Sequence, residues 1–220
     1  AHPAHLLTVL GLVLKYKPRV LLLTHAFAGL GAGQAELIRT GFRMVGMEDR
    51  ITDFEIDEAE SYRRALAKDF AYHRAIVPRI VDWLESAQAD VVFGDAFELS
   101  NYQHDVGRVM LDQAIKMLRS KGRSVANYEF PLSVRADRPG AELEFGRFIE
   151  GSNEEYALSQ MDCVLKRKMV EMAKIGDSFI SHVAPQFPCL EVERYRLVPA
   201  ERDYLRVPAG MSLYYDDRGR

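Results

Sequence analysis

Apolar positions follow two rhythms along this chain. A nearly continuous run from Leu6 to Tyr16, with basic residues only at its end, predicts a buried helix that Lys17-Pro18 stops. The stretch Arg19–Thr24 follows with Val20 to Leu23 unbroken, as in a parallel strand covered on both faces. A loop carrying Gly29, Gly31 and Gly33 then leads into a helix over about Gln34–Met47. From Tyr62 to Ala87 the period is helical, with Ile76, Ile80, Trp83 and Leu84 on one side and a break or kink near Pro78. Asp90–Gly94 predicts a second buried strand. The loop Asp95–Gln103 ends at His104, and Val106, Val109, Met110, Ala114 and Met117 recur behind it at helical spacing, with Asp105 favourable in the first turn.

The second half continues the pattern. Ser124–Tyr128 predicts a short strand, and a polar loop rich in Arg, Asp, Pro and Gly separates it from a long helix over Tyr156–Lys174. The stripe Met161, Leu165, Met169 and Met172 on that helix reads as core filler, since Met packs irregular gaps well. Leu190–Val198 alternates and predicts an edge or late strand. Strand and helix in this order predict an α/β, Rossmann-like fold with a mainly parallel sheet and helices on both faces. Such sheets bind ligands in the loops beyond the carboxyl ends of their strands. The Ala1–His5 turn would open on the same edge if it follows a strand missing at the amino end, so the chain is expected to be truncated there.

Composition narrows the partners. The 220 residues suit a single domain with one core, and no linker or low-complexity tract divides them. A formal charge of -3 gives no reason to expect nucleic acid or an anionic membrane, and Leu6–Leu14 is too short to span a bilayer and lacks a basic lead. Cys163 and Cys189 have neither zinc-knuckle spacing nor the number of a disulfide framework, which predicts a reduced, cytoplasmic protein, with a single disulfide as the alternative. The Gly29–Gly33 run does not keep the G-x-G-x-x-G spacing, so no nucleotide cofactor is expected.

Histidines carry the candidate chemistry. His2 and His5 are three apart and can share one side of a helical turn, with Pro3 between them fixing φ, and His104 opens a later helix. Three imidazoles plus an open position suit a catalytic zinc, or another divalent metal, which lowers the pKa of water and polarises a carbonyl. The alternative is that they are unrelated surface or capping residues. His25, directly after a buried strand, could orient substrate or transfer a proton, or be a hydrogen-bonded loop histidine. His73 and His182 read as surface residues. Asp95 and Glu98 could fix an imidazole tautomer from behind, or be solvated loop acids.

The order of these stretches resembles the PIG-L/LmbE-like (GlcNAc-PI de-N-acetylase-like) family of metal-dependent deacetylases. Family members carry an A-H-P-D-D-E turn, a strand ending in L-T-D-G, an R-x-x-E helix start, a P-D-x-V strand and an H-P-D-H motif opening a helix. The matching stretches here are Ala1-His2-Pro3-Ala4-His5-Leu6, Leu23-Thr24-His25-Ala26, Gly33-Gln34-Ala35-Glu36, Ala89-Asp90-Val91-Val92 and Asn101-Tyr102-Gln103-His104. The resemblance covers about the first 120 residues, and beyond them only the layout is similar. It implies a metal held by His2, by His5 in place of the second Asp, and by His104. The substrate implied is an N-acylated amino sugar or similar small molecule.

Two catalytic positions depart from the family. Ala4 stands where the general base is expected, and Asn101 stands where a histidine assists the leaving amine and the tetrahedral intermediate. The Arg of R-x-x-E is Gly33, which weakens a sugar-phosphate substrate. Ala4 cannot accept a proton, and general base catalysis contributes about 10²–10⁴-fold. The enzyme as it stands should therefore be slow unless His25, Asp95 or metal hydroxide compensates. Whether the alanine is natural or an introduced substitution is open at this point. The rival readings are a catalytically silent relative that binds or regulates, and a scaffold with no metal. The sequence carries no sign of oligomeric state.

Overall fold

The first helix is shorter than the apolar run that encodes it. In the computed structural model, which describes residues 3–24, 39–99, 101–135, 143–148, 151–176, 191–199 and 201–204, Pro3–Val9 winds as a 3-10 helix and only Leu10–Tyr16 is α-helical (α1). No side chain caps α1 at Val9 and its first turn holds no acid, so no local side chain serves its leading amides. Lys17 ends it in the left-handed region (φ 46), with its amide donating to Val13 O at 2.9 Å.

Strand β1 (Val20–Thr24) runs parallel to β2 (Ile51–Ile56) with Val20 opposite Ile51 and Leu22 opposite Asp53, and residues 39–44 between them are helical. The helix expected over Tyr62–Ala87 is instead three: α2 (Glu58–Leu66), α3 (Phe70–Arg74) and α4 (Val77–Ser86). Lys68 adopts φ 56 at the first break, and Pro78 lies in the opening turn of α4, where a missing N–H costs nothing. The expected break near Pro78 thus falls at Ala75 and Ile76, and Pro78 starts the next helix. Val77, Ile80, Val81 and Leu84 are the buried side of α4.

β3 (Val91–Asp95), α5 (Tyr102–Ser120) and β4 (Ala126–Phe130) form a strand-helix-strand unit whose strands are parallel, with Val91 opposite Ala126 and Asp95 opposite Phe130. β5 (Ser133–Arg135) and β6 (Leu143–Phe145) pair as an antiparallel hairpin. β7 (Glu154–Ala157), α6 (Gln160–Gly176) and β8 (Val192–Leu197) complete the order. The expected helix start at Tyr156 is thus displaced by a strand. Ser159, whose Oγ accepts from the Asp162 amide at 3.1 Å, sets the true start.

The chain divides into two compact units, Ala1–Asp57 with Glu154–Arg194 and Glu58–Asn153 with Tyr195–Arg220. In the first, β1 and β2 are parallel, and β7 pairs with β8. In the second, β3 and β4 are parallel, and the later part of β8 lies antiparallel to β4 with Tyr128 opposite Leu197. Among the described residues each unit therefore has a parallel pair of an α/β fold, and the antiparallel pairs β4–β8 and β5–β6 each involve a strand after β4. Among the described residues no helix is long and apolar enough to cross a membrane.

Candidate functional site

The loop between β3 and α5 is organised by its acids. Asn101 is extended (φ -136, ψ 119) and its Oδ1 accepts from the Gln103 amide at 2.9 Å, so α5 begins at Tyr102 and His104 falls in its first turn. Asp105 faces inward at 3% exposure rather than serving the helix dipole from solvent. Its carboxyl accepts from the Glu98 amide at 2.7 Å and the Leu99 amide at 3.0 Å. Those bonds hold Leu99 at φ 59, a left-handed backbone that costs a leucine about 1–2 kcal/mol. The turn at Leu99 aims Glu98 back into the protein.

Glu98 is 1% exposed, which overturns the solvated-acid alternative for this residue. One carboxylate oxygen accepts from the Leu132 amide at 2.5 Å, and the other lies 3.1 Å from His104 Nδ1. Asp105 thus holds the loop, the loop holds Glu98, and Glu98 fixes the imidazole. Burial pushes the His104 pKa down, but the Glu98 hydrogen bond and charge, with the charge of half-buried Asp95, outweigh it and leave the pKa raised. Burial raises Asp105 to about 7 against the pull of its backbone hydrogen bonds.

The outer side of α5 is clamped by a histidine that sequence reasoning places on the surface. His73 is 6% exposed, with Nε2 3.1 Å from Ser61 Oγ and 3.4 Å from the Tyr102 hydroxyl, while Nδ1 has no hydrogen-bond partner among the described residues. Burial lowers its pKa against the charge of Asp69. Ser61 also meets Gln103 Oε1 at 3.3 Å, and Gln103 Nε2 donates to Glu58 O at 3.0 Å, so α2 and α3 hold the first turn of α5. Burial, then the neighbouring Tyr62, lift Tyr102 to about 12, keeping its hydroxyl neutral. The missed signal is positional, because His73 precedes Val77, Ile80 and Leu84 at the spacing of one apolar helix face.

Further along α5, Arg108 is buried against Asp112 and Asn127, and Glu129 on β4 takes Arg196 Nε at 2.7 Å and both terminal nitrogens of Arg202 at 2.7 and 2.6 Å. Burial alone would raise the Glu129 pKa, but Arg202 and then Arg196 hold it below the ordinary value. Tyr204 also bonds Asp112, so residues 201–204 are fastened to the unit around β4. No motif announced this cluster.

The remaining predicted residues divide. His5 is half-buried on the 3-10 helix, with its carbonyl accepting from Thr8 Oγ at 2.7 Å, and Ala4 lies on the same helix. Asn101 spends its side-chain oxygen on the helix cap. His2, His25, His182 and Cys189 lie outside the described residues, and Cys163 is a free thiol. Among the described residues no three His, Cys, Asp or Glu side chains gather as metal ligands. At His104 the donor chemistry nevertheless fits zinc. A ligating imidazole commonly has its other ring nitrogen on a carboxylate, and here Glu98 occupies Nδ1, so Nε2 is the atom that would coordinate.

No protein-family model matches the sequence, and no curated protein does. Among solved structures the chain is similar to a deacetylase triple mutant involved in the teicoplanin biosynthetic pathway. That likeness covers 91% of this chain and 98% of that one, with 13% identity and a TM-score of 0.51. The α/β fold of this chain is therefore similar to that of a deacetylase.

Proposed function

We propose that this chain is a metal-dependent hydrolase of the PIG-L/LmbE de-N-acetylase type, acting on an N-acylated amino sugar or similar small molecule in the cytoplasm. The observation that carries the reading is the His104 imidazole fixed through Nδ1 by the fully buried Glu98 carboxylate, in the first turn of the helix after a parallel strand. The deacetylase fold of the structural neighbour supports it. His2, His5 and His104 would hold a divalent metal, zinc by preference, which when bound supplies Lewis acidity towards an amide carbonyl and water.

The protein's own residues account for the rest. Glu98 sets the His104 tautomer, Asp105 holds the Glu98 loop, and Asn101 keeps the helix start in register. Ala4 leaves the base position without a proton acceptor, and His25 and Asp95 are the residues to take the proton in its place. A second reading, a silent relative that binds or regulates, is favoured by Ala4 together with the commitment of the Asn101 oxygen to the cap.

Elemental analysis should find about one equivalent of zinc that His104→Ala loses, and Ala4→Asp should raise amidase activity on N-acetylated substrates at least about tenfold. Metal-free protein refutes the hydrolase reading. Zinc uptake with no activity gain from Ala4→Asp favours the silent relative.

A further inference from the structure

The first unit contains a buried ion pair that the catalytic scheme does not use. Lys166 and Glu193 are both 0% exposed, with Nζ 2.7 Å from Oε1. Glu193 is also the cap that α1 lacks locally: its two oxygens accept from the Gly11 amide at 2.7 Å and the Leu12 amide at 3.0 Å. Glycine eases the approach, because a Cβ at Gly11 would stand 3.0 Å from Leu158 and Tyr156 and 3.2 Å from Glu193 Oε2, and those side chains would have to give. Lys166 reaches on to the Thr8 carbonyl at 3.4 Å, and Thr8 Oγ donates to the His5 carbonyl at 2.7 Å. A continuous polar chain thus runs from β8 through α6 to the backbone of His5.

The geometry points to Thr8, Lys166 and Glu193 as positioning residues for His5, an inference that rests on the metal-site reading above. A 3-10 helix has poorer hydrogen-bond geometry than an α-helix and rarely runs as long as Pro3–Val9 unaided. Thr8 ties down the His5 carbonyl from within the turn. Lys166 holds Thr8, and Glu193 fixes both Lys166 and the first amides of α1. The result is that the imidazole of His5 is carried on a backbone restrained from its carboxyl-terminal side.

Thr8→Val is the informative variant, since it removes one hydroxyl and leaves the ion pair intact. Zinc affinity of the full chain, measured by competition with a chelating dye, should weaken about tenfold, the low end of what losing a partner of the ligating side chain itself costs, because Thr8 holds the His5 backbone and not its imidazole. Thr8→Ser should restore it. Glu193→Gln should speed hydrogen exchange in the peptide over residues 3–12. If that variant does not fold, Thr8→Val and Thr8→Ser still decide the question. A merely structural role would lower Tm in Thr8→Val with zinc affinity unchanged, and that result overturns the inference alone. Wild-type protein that takes up no zinc overturns the metal-site reading and this inference with it.

Discussion

Replacing Glu98 by glutamine preserves volume and removes one charge from the centre of the site. The carboxylate serves two donors, the Leu132 amide at 2.5 Å and His104 Nδ1 at 3.1 Å, and a glutamine has a single oxygen for both. If that oxygen stays on Leu132, the amide NH₂ faces Nδ1, which must then accept, and the proton moves to Nε2. The imidazole keeps a neighbour but presents an N–H where a lone pair is needed. A hydrogen bond to a charged group contributes about 1.5–3 kcal/mol, so metal-free Glu98→Gln should lose about 2 kcal/mol of stability, or roughly 4–8 °C in Tm. Zinc affinity should fall about 10–100-fold. Thermal denaturation followed by circular dichroism reads the first quantity and dye competition the second. A variant within about 0.5 kcal/mol of wild type, the usual scatter of surface substitutions, that also binds zinc equally well would refute the reasoning from Glu98 to His104.

Two further outcomes follow from the same unit. The folded-state pKa of His73 lies below its unfolded value of 6.5, so on acidification the unfolded chain binds the proton first and stability declines from about pH 6.5 downwards. His73→Gln should flatten this part of the urea midpoint-versus-pH curve, and parallel curves for the two proteins would show that His73 is not responsible. Gly94→Ala should destabilise by about 1–3 kcal/mol in urea titration, because its Cβ would meet Leu111 Cδ2 at 2.6 Å and the buried Arg108 Nη1 at 3.1 Å. An unchanged midpoint would mean that α5 moves away without cost.

Legibility from sequence follows the physics of each element. β1 and β3 are readable because their runs are apolar, although β3 is not the buried strand expected: Val91 (54%) and Phe93 (37%) are exposed and only Val92 is buried. β2 is not readable, since Ile51-Thr52-Asp53-Phe54-Glu55-Ile56 mixes acids into the run and twists at Glu55, φ 54. β7, Glu154–Ala157, has no alternation to read and borders an apolar helix. The Ser159 to Asp162 spacing was nevertheless a usable start signal for that helix. At the site, His104 is marked by its place at a helix mouth, and Glu98 was among the candidate partners. Its burial depends on the left-handed turn at Leu99 and on Asp105, a tertiary arrangement that no local pattern encodes. The inward Arg108 and Glu129 run against the ordinary rule that charges face solvent; Arg108 has a partner one turn on in Asp112, but Glu129 is explained by arginines far along the chain.

The cap on α1 comes from a carboxylate 182 residues downstream. A ribosome adding about 5–20 residues per second therefore exposes the amino-terminal helix roughly 10–40 s before its partner is synthesised. Throughout that interval the apolar stretch from Leu6 to Leu14 lacks the carboxylate that takes the Gly11 and Leu12 amides. A helix made early is therefore secured only after β8 has been made.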